Sequence, residues 1–302
     1  MPQATSQGRW VALLKGTVSV ILLVTNTLLW GVPLLLLSLL RPVLPFNSAR
    51  RRLRTALDAV AGGWIAGNNW WIRHWLAPDW RVTLPNGLCR EQHWLVIANH
   101  RSWVDVFILM SALHQRLPPP RFFVKRELSW IPIVGQAFRA LDFPIMRRYS
   151  RAQLKRRPQL ARRDLQTTRR ALADAGASPV TLYNFAEGTR FSIDKQRAQR
   201  SPWQHLLKPR AGGCAQVVEL LGEHLCGIVD ITLDYRAGRT GFGDFLCGRG
   251  GSVTIRARRL EIPPWMAQGD YAGDPLYRQR FQNWINVLWQ EKDQQLSCSD
   301  PL

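Results

Sequence analysis

Trp94-Leu95-Val96-Ile97-Ala98 runs without a break into Asn99-His100-Arg101-Ser102-Trp103-Val104-Asp105, and a second apolar run, Val106–Met110, follows at once. Five apolar residues that stop at a polar turn read as a buried strand, and the run beyond the turn reads as the start of a helix over 103–114. Outward from this stretch the pattern repeats. Phe122–Val124, Val180–Phe185, Gly227–Leu233 and Ser252–Arg258 read as strands, with helices expected over 160–175, 212–222 and 275–291. Such alternation predicts an α/β domain, a largely parallel sheet flanked by helices, whose ligands collect at the carboxyl ends of the strands.

His100 stands at such an end. A carboxylate five residues on, in the first turn of the helix, can fold back to one imidazole nitrogen. Asp105 would then fix the tautomer and stabilise the imidazolium while His100 acts as general base toward an alcohol. Ser102-Trp-Val-Asp105 also fits a capping box, in which Asp105 holds the helix start; the two roles are compatible. A second strand, Val180–Phe185, ends in Ala186-Glu187-Gly188-Thr189-Arg190. Gly188 allows a tight bend, Thr189 offers a hydroxyl, and Arg190 a planar fork suited to phosphate. Taken alone, those residues read more readily as a turn with a local Glu187–Arg190 ion pair. Lys208-Pro-Arg210-Ala-Gly-Gly213 places two cations before the helix at 212–222, a geometry that suits phosphate or serves as an ordinary basic loop.

The 302 residues carry 41 Lys plus Arg against 21 Asp plus Glu, a net charge of +20 that draws the protein toward anionic membrane, phosphate-bearing substrates, an acidic carrier protein or nucleic acid. From Arg147 to Arg170 ten cations face one acid, Asp164. Five cysteines with no C-x-x-C pair fit neither a disulfide framework nor a zinc site, and imply a reducing compartment. No metal is expected.

Between Lys15 and Arg41 lie 25 uncharged residues rich in Leu, Val and Ile, enough to span a ~30 Å hydrocarbon core with about 20 helical residues. The run is too long for a secretory h-region, so a retained anchor is expected, either transmembrane or, given Pro33, dipping into one leaflet. Arg41, Arg50, Arg51, Arg52 and Arg54 outnumber Arg9 and Lys15 and place the body in the cytoplasm. Residues 59–80, with Trp64, Trp70, Trp71, Trp75 and Trp80, read as a helix at the interface or in the core. The chain divides into 1–80, anchor and interfacial helices, and 81–302, the α/β domain.

The order N-H-x4-D, then Phe143-Pro-Ile-Met-Arg147-Arg148, then E-G-T-R resembles the glycerolipid (1-acylglycerol-3-phosphate) acyltransferase family over roughly residues 90–235. The resemblance implies catalytic roles for His100 and Asp105, and substrate-binding roles for Glu187, Gly188, Thr189, Arg190, Arg148 and Lys125. Three departures stand out. The Gly that opens the second block is missing, Ala186 replaces a Pro, and Asp230 replaces another, a pattern closer to the lysocardiolipin-type branch. The implied reaction moves an acyl chain from acyl-CoA or acyl-carrier protein to a lysophospholipid hydroxyl, without a cofactor, at the cytoplasmic face of a membrane, expected to be a bacterial inner membrane. Backbone amides near Glu187–Gly188 are the expected oxyanion donors. Expected partners are membrane phospholipid, lysophospholipid and the thioester donor, with no specific nucleic acid. The rival from another class is a non-catalytic, membrane-tethered basic protein that binds RNA or acidic partners through its arginines.

Overall fold

The computed structural model describes residues 6–146, 166, 169, 178–236, 240–267, 269–271 and 273–298. Arg147, Arg148 and most of the 160–175 stretch lie outside the described residues. Six strands form one sheet in the order β1 (Trp80–Thr83), β8 (Val253–Leu260), β7 (Leu225–Tyr235), β2 (His93–Ala98), β6 (Thr181–Phe185) and β3 (Pro120–Phe122). Four of the five ladders are parallel, as expected for an α/β sheet. The exception is β7 against β8, which is antiparallel. Their connection holds one helix of five residues, α7 (Phe242–Leu246), rising only about 8 Å, whereas a parallel return would have to retrace roughly 36 Å along the 11-residue β7. The strand expected over Phe122–Val124 is split: Phe122 closes β3, while β4 (Val124–Lys125) pairs with β5 (Ile145–Met146) in a separate two-stranded ladder.

Every residue of β2 is buried, as a central strand covered on both faces requires. Trp94, Val96 and Ala98 pack on one face with α2 (Asn47–Trp71) and α3 (Val104–Leu113). Leu95 and Ile97 pack on the other with α6 (Gly212–Leu221) and α8 (Pro275–Ser297). Of the Trp-rich stretch expected as a helix at 59–80, residues up to 76 are the second half of a longer helix that begins at Asn47 and ends in a π turn, Ile72–Leu76; Ala77 turns left-handed and Trp80 opens β1 instead. The helix is both core and surface: Trp71 is buried and Trp70 is 59% exposed.

The first helix, α1 (Ser6–Ser38), is long and apolar enough to cross a membrane. Its two faces are reversed from those of a soluble helix. Ala12, Gly16, Ser19 and Leu34, spaced by helical turns, face the body, while Leu14, Ile21, Val24, Leu28, Val32 and Leu36 face outward. The small inner residues allow close approach. A Cβ on Gly16 would stand 2.7 Å from the Cys247 sulfur, and one on Gly31 2.7 Å from Ile133. Asn26 ties α1 to α2 by donating to the Trp64 carbonyl at 2.9 Å and the Asn68 amide oxygen at 3.0 Å. Gly16 and Gly31 are separated by about 22 Å of helix, so α1 lies along the body rather than projecting from it.

Asp230 points from β7 toward α8. It meets the buried Lys292 ammonium at 2.6 Å and Arg258 at 2.9 Å, and Arg258 also reaches Glu291. Burial holds the Lys292 ammonium below its ordinary pKa, with Asp230 pulling the other way. Removing one member strands the other, so Lys292→Ala should cost roughly 3–5 kcal/mol, seen as a lower thermal midpoint in detergent. The double variant Asp230→Leu/Lys292→Leu should recover most of it, and a midpoint as low as that of the single variant would refute the ion-pair account.

Candidate active site

The turn after β2 is fixed by Asn99, whose side chain imitates a peptide group. Its amide donates to the Leu233 carbonyl at 3.0 Å and its oxygen accepts from the Leu233 N–H at 2.8 Å, extending the β2–β7 ladder one residue past Ala98. His100 then emerges with its ring stacked on Phe185, centroids 4.0 Å apart. Its Nδ1 lies 2.8 Å from Asp105 Oδ2. The same oxygen accepts the Arg101 N–H at 2.6 Å and the Ser102 N–H at 2.9 Å, so Asp105 orients the histidine and caps α3 at once. Ser102 adds a cap of its own, its hydroxyl accepting from the Val104 N–H at 3.1 Å.

Nothing local in the sequence pointed to the fourth member. Tyr235, at the end of β7, donates its hydroxyl to Asp105 Oδ1. Burial, and then the Asp105 charge, push the Tyr235 phenol far above its ordinary pKa, keeping it a donor. His100 Nε2 is left as the nitrogen available to substrate. Tyr235→Phe should lower kcat about tenfold, the size expected when one buried hydrogen bond to a charged group is lost. An unchanged kcat would remove Tyr235 from the relay.

His100 lines a cavity of about 930 Å³, and Lys125, Gly188, Thr189 and Arg190 share its wall. Most of the lining is apolar. Val106, Phe107, Met110 and Leu113 face it at helical spacing along α3, so the cavity follows that helix for about 10 Å. Polar groups stand near the mouth. Arg190 lies over the Trp103 ring at 4.9 Å, and the Lys195 ammonium donates to Thr189 Oγ1 at 3.0 Å and to the Arg190 carbonyl at 2.9 Å. Gly188 adopts φ 70°, the left-handed bend anticipated for it, and the Arg210 side chain passes 3.6 Å from where its Cβ would be. Lys195 reaches the site from five residues beyond Arg190, and Arg210 from the loop before α6. Arg210 was noticed as part of a basic loop and Lys195 not at all.

Glu187 does not line the cavity. It is 1% exposed behind the wall, where burial, reinforced by Asp105, raises its carboxyl well above the ordinary range. The His100 and Leu207 backbone N–H groups and Lys292 pull the other way, yet neither N–H reaches ordinary hydrogen-bond geometry. The Gly188 N–H is committed to the Phe185 carbonyl at 2.9 Å, which removes it from the expected oxyanion donors. Arg148 lies outside the described residues. Among the described residues no group of three or more His, Cys, Asp or Glu is placed to hold a metal ion.

With strand ends, His–Asp pair and cavity in place, comparison with known proteins is informative. The chain belongs to the acyltransferase family, whose model matches residues 80–235. It is 23% identical over 228 residues to mouse 1-acyl-sn-glycerol-3-phosphate acyltransferase epsilon, covering 68% of this chain and 58% of that protein. It is 26% identical over 235 residues to an uncharacterized acyltransferase of Saccharomyces cerevisiae, covering 67% of this chain and 57% of the relative. The chain thus spans somewhat over half the length of these curated relatives. In fold it is similar to the crystal structure of the 1-acyl-sn-glycerophosphate acyltransferase PlsC from Thermotoga maritima, with a TM-score of 0.55 at 14% identity over 94% of this chain and 98% of that one.

Proposed function

We propose that the protein transfers a fatty acyl chain from a thioester, acyl-CoA or acyl-carrier protein, to the free hydroxyl of a lysophospholipid. The observation that carries this is the His100–Asp105 pair opening onto a long apolar cavity with cations near its mouth. His100 Nε2 takes the acceptor's hydroxyl proton as that oxygen attacks the thioester carbonyl. The tetrahedral intermediate collapses, the carbon–sulfur bond breaks, and the imidazolium returns its proton to the departing thiolate. The cavity accommodates the acyl chain, and Arg190 and Lys125, both on its wall, bind the phosphate-bearing substrate. Asp105 and Glu187 act from behind the wall. The reading is supported by the mouse relative's name, 1-acyl-sn-glycerol-3-phosphate acyltransferase.

Residues 1–80 form the anchor and 81–302 the catalytic domain, at the cytoplasmic face of the membrane. Contact of α1 with the body at both Gly16 and Gly31 favours a helix lying within one leaflet over one crossing the bilayer. The test is thiol release from both donors, measured with and without a panel of lysophospholipids. Release that depends on the acceptor supports transfer, release indifferent to it would mark a thioesterase, and salt-sensitive RNA binding without turnover would mark the non-catalytic rival. Arg190→Lys keeps the charge and loses the fork, so kcat/KM for the lysolipid should fall about tenfold with little change toward the donor. A defect confined to the donor would place Arg190 on the donor's phosphates instead.

A further inference from the structure

The loop between β4 and α4 (Val134–Ala140) carries three features that the reaction does not use. Its tip exposes two large apolar side chains, Trp130 at 72% and Ile131 at 44%. Two residues on, Ile133 holds φ 65° and ψ −56°, a conformation that β-branched residues seldom adopt, closed by the Val134 N–H donating to the Pro132 carbonyl at 2.7 Å. Ile133 is also where the loop meets α1: it abuts Gly31 so closely that no Cβ fits between them. Gly31 and Ile133 both line the large cavity, as do Leu128 and Val134 of the same loop. The contact is therefore part of the cavity wall.

We propose that the Trp130–Ile133 loop is seated in the lipid leaflet and, with Gly31 of α1, forms the lateral portal through which the chain of a membrane lysolipid passes into the cavity. The occupant is a bilayer for two reasons. The loop meets α1 at Gly31, Leu28, Val32 and Leu36 on the neighbouring turns of that helix are exposed, and a helix of that length and polarity suits lipid. Exposed Lys125 and Arg126 open the loop and Arg41 is tied to Asp142 just beyond α4, cations suited to headgroup phosphates, and Trp is the side chain that most favours that depth. The strained turn at Ile133 makes the wall a segment that can yield locally while the sheet stays fixed.

The inference rests on the acyltransferase reading, so its first test does not use activity. With p-benzoylphenylalanine in place of Trp130, the full chain in phospholipid nanodiscs should, on irradiation, form an adduct with phospholipid found by mass spectrometry. Chain-to-chain adducts, or none to lipid, would overturn the proposal, the former assigning the patch to a second copy. In the second test, Trp130→Ser/Ile131→Ser is compared with wild type on lysolipid in vesicles and on a short-chain lysolipid dissolved as monomers. The double variant should show KM raised about a hundredfold or more on vesicles, the scale of losing two buried apolar side chains, with monomer turnover unchanged. Equal effects on both substrates, or none on vesicles, would overturn the portal. Absence of acceptor-dependent thiol release in the wild type would instead count against the acyltransferase reading and leave the adduct result standing.

Discussion

His100→Ala should lower acyl transfer by about 10²–10⁴, the usual contribution of a positioned general base, while membrane attachment and thermal midpoint stay close to wild type. The arrangement around it is what makes the expectation sharp. The His100 side chain makes one polar contact, to Asp105, and its ring packs on Phe185 at the cavity wall. Removing it takes away little of the core, because the turn itself is held by Asn99 bridging to Leu233 and by the Phe191 N–H donating to the His100 carbonyl at 2.7 Å. Steady-state rates, with a melting curve on the same preparation, check both halves. Near-normal turnover would remove His100 from the chemistry.

Asp105→Asn should be almost as severe in rate and worse in stability. The carboxylate is fully buried and accepts from Tyr235, from His100 Nδ1, and from two backbone N–H groups. An amide brings an N–H where only acceptors are wanted. Facing the cluster of donors at Oδ2 it sets donor against donor, and facing Tyr235 it turns that hydroxyl from donor to acceptor and removes the charge from the contact. The imidazole also loses the partner that selects its tautomer, and a comparable exchange in a serine-protease triad costs ~10⁴ in kcat. A rate loss of about 10³ is expected, with a stability loss of roughly 1–3 kcal/mol from the unmatched buried polar groups. Should Asp105→Asn keep its rate and lose only stability, Asp105 would be a helix cap and nothing more.

What could be read from the chain was local. Trp94–Ala98 betrayed β2 because a central strand is apolar on both faces, and Asn99–Asp105 betrayed the site because a histidine and its carboxylate lie within one turn of each other. The helix before residue 59 was hidden by Arg50–Arg54, since its first turns carry guanidinium groups such as the buried Arg54 on the same face as Leu53 and Leu57. β1 gave no signal, being a short edge strand whose residues are mostly exposed. The antiparallel β8 looks like any other strand until the length of its connection is considered. Tyr235 reaches Asp105 across 130 residues and Lys292 reaches Asp230 across 62, distances over which no periodicity or spacing carries information. Asp230 was noticed only as a departure from the family pattern; the ammonium from α8 gives it a physical reason.

The central claim is that this His–Asp pair moves an acyl chain onto a lysophospholipid. It is tested most directly by incubating the full-length protein in vesicles with an isotope-labelled acyl thioester and a lysophospholipid, and following the labelled diacyl product by mass spectrometry alongside His100→Ala. Labelled diacyl lipid should accumulate with wild type and fall by about 10²–10⁴ in the variant. Labelled free fatty acid in its place, or equal diacyl product from both proteins, would contradict the account.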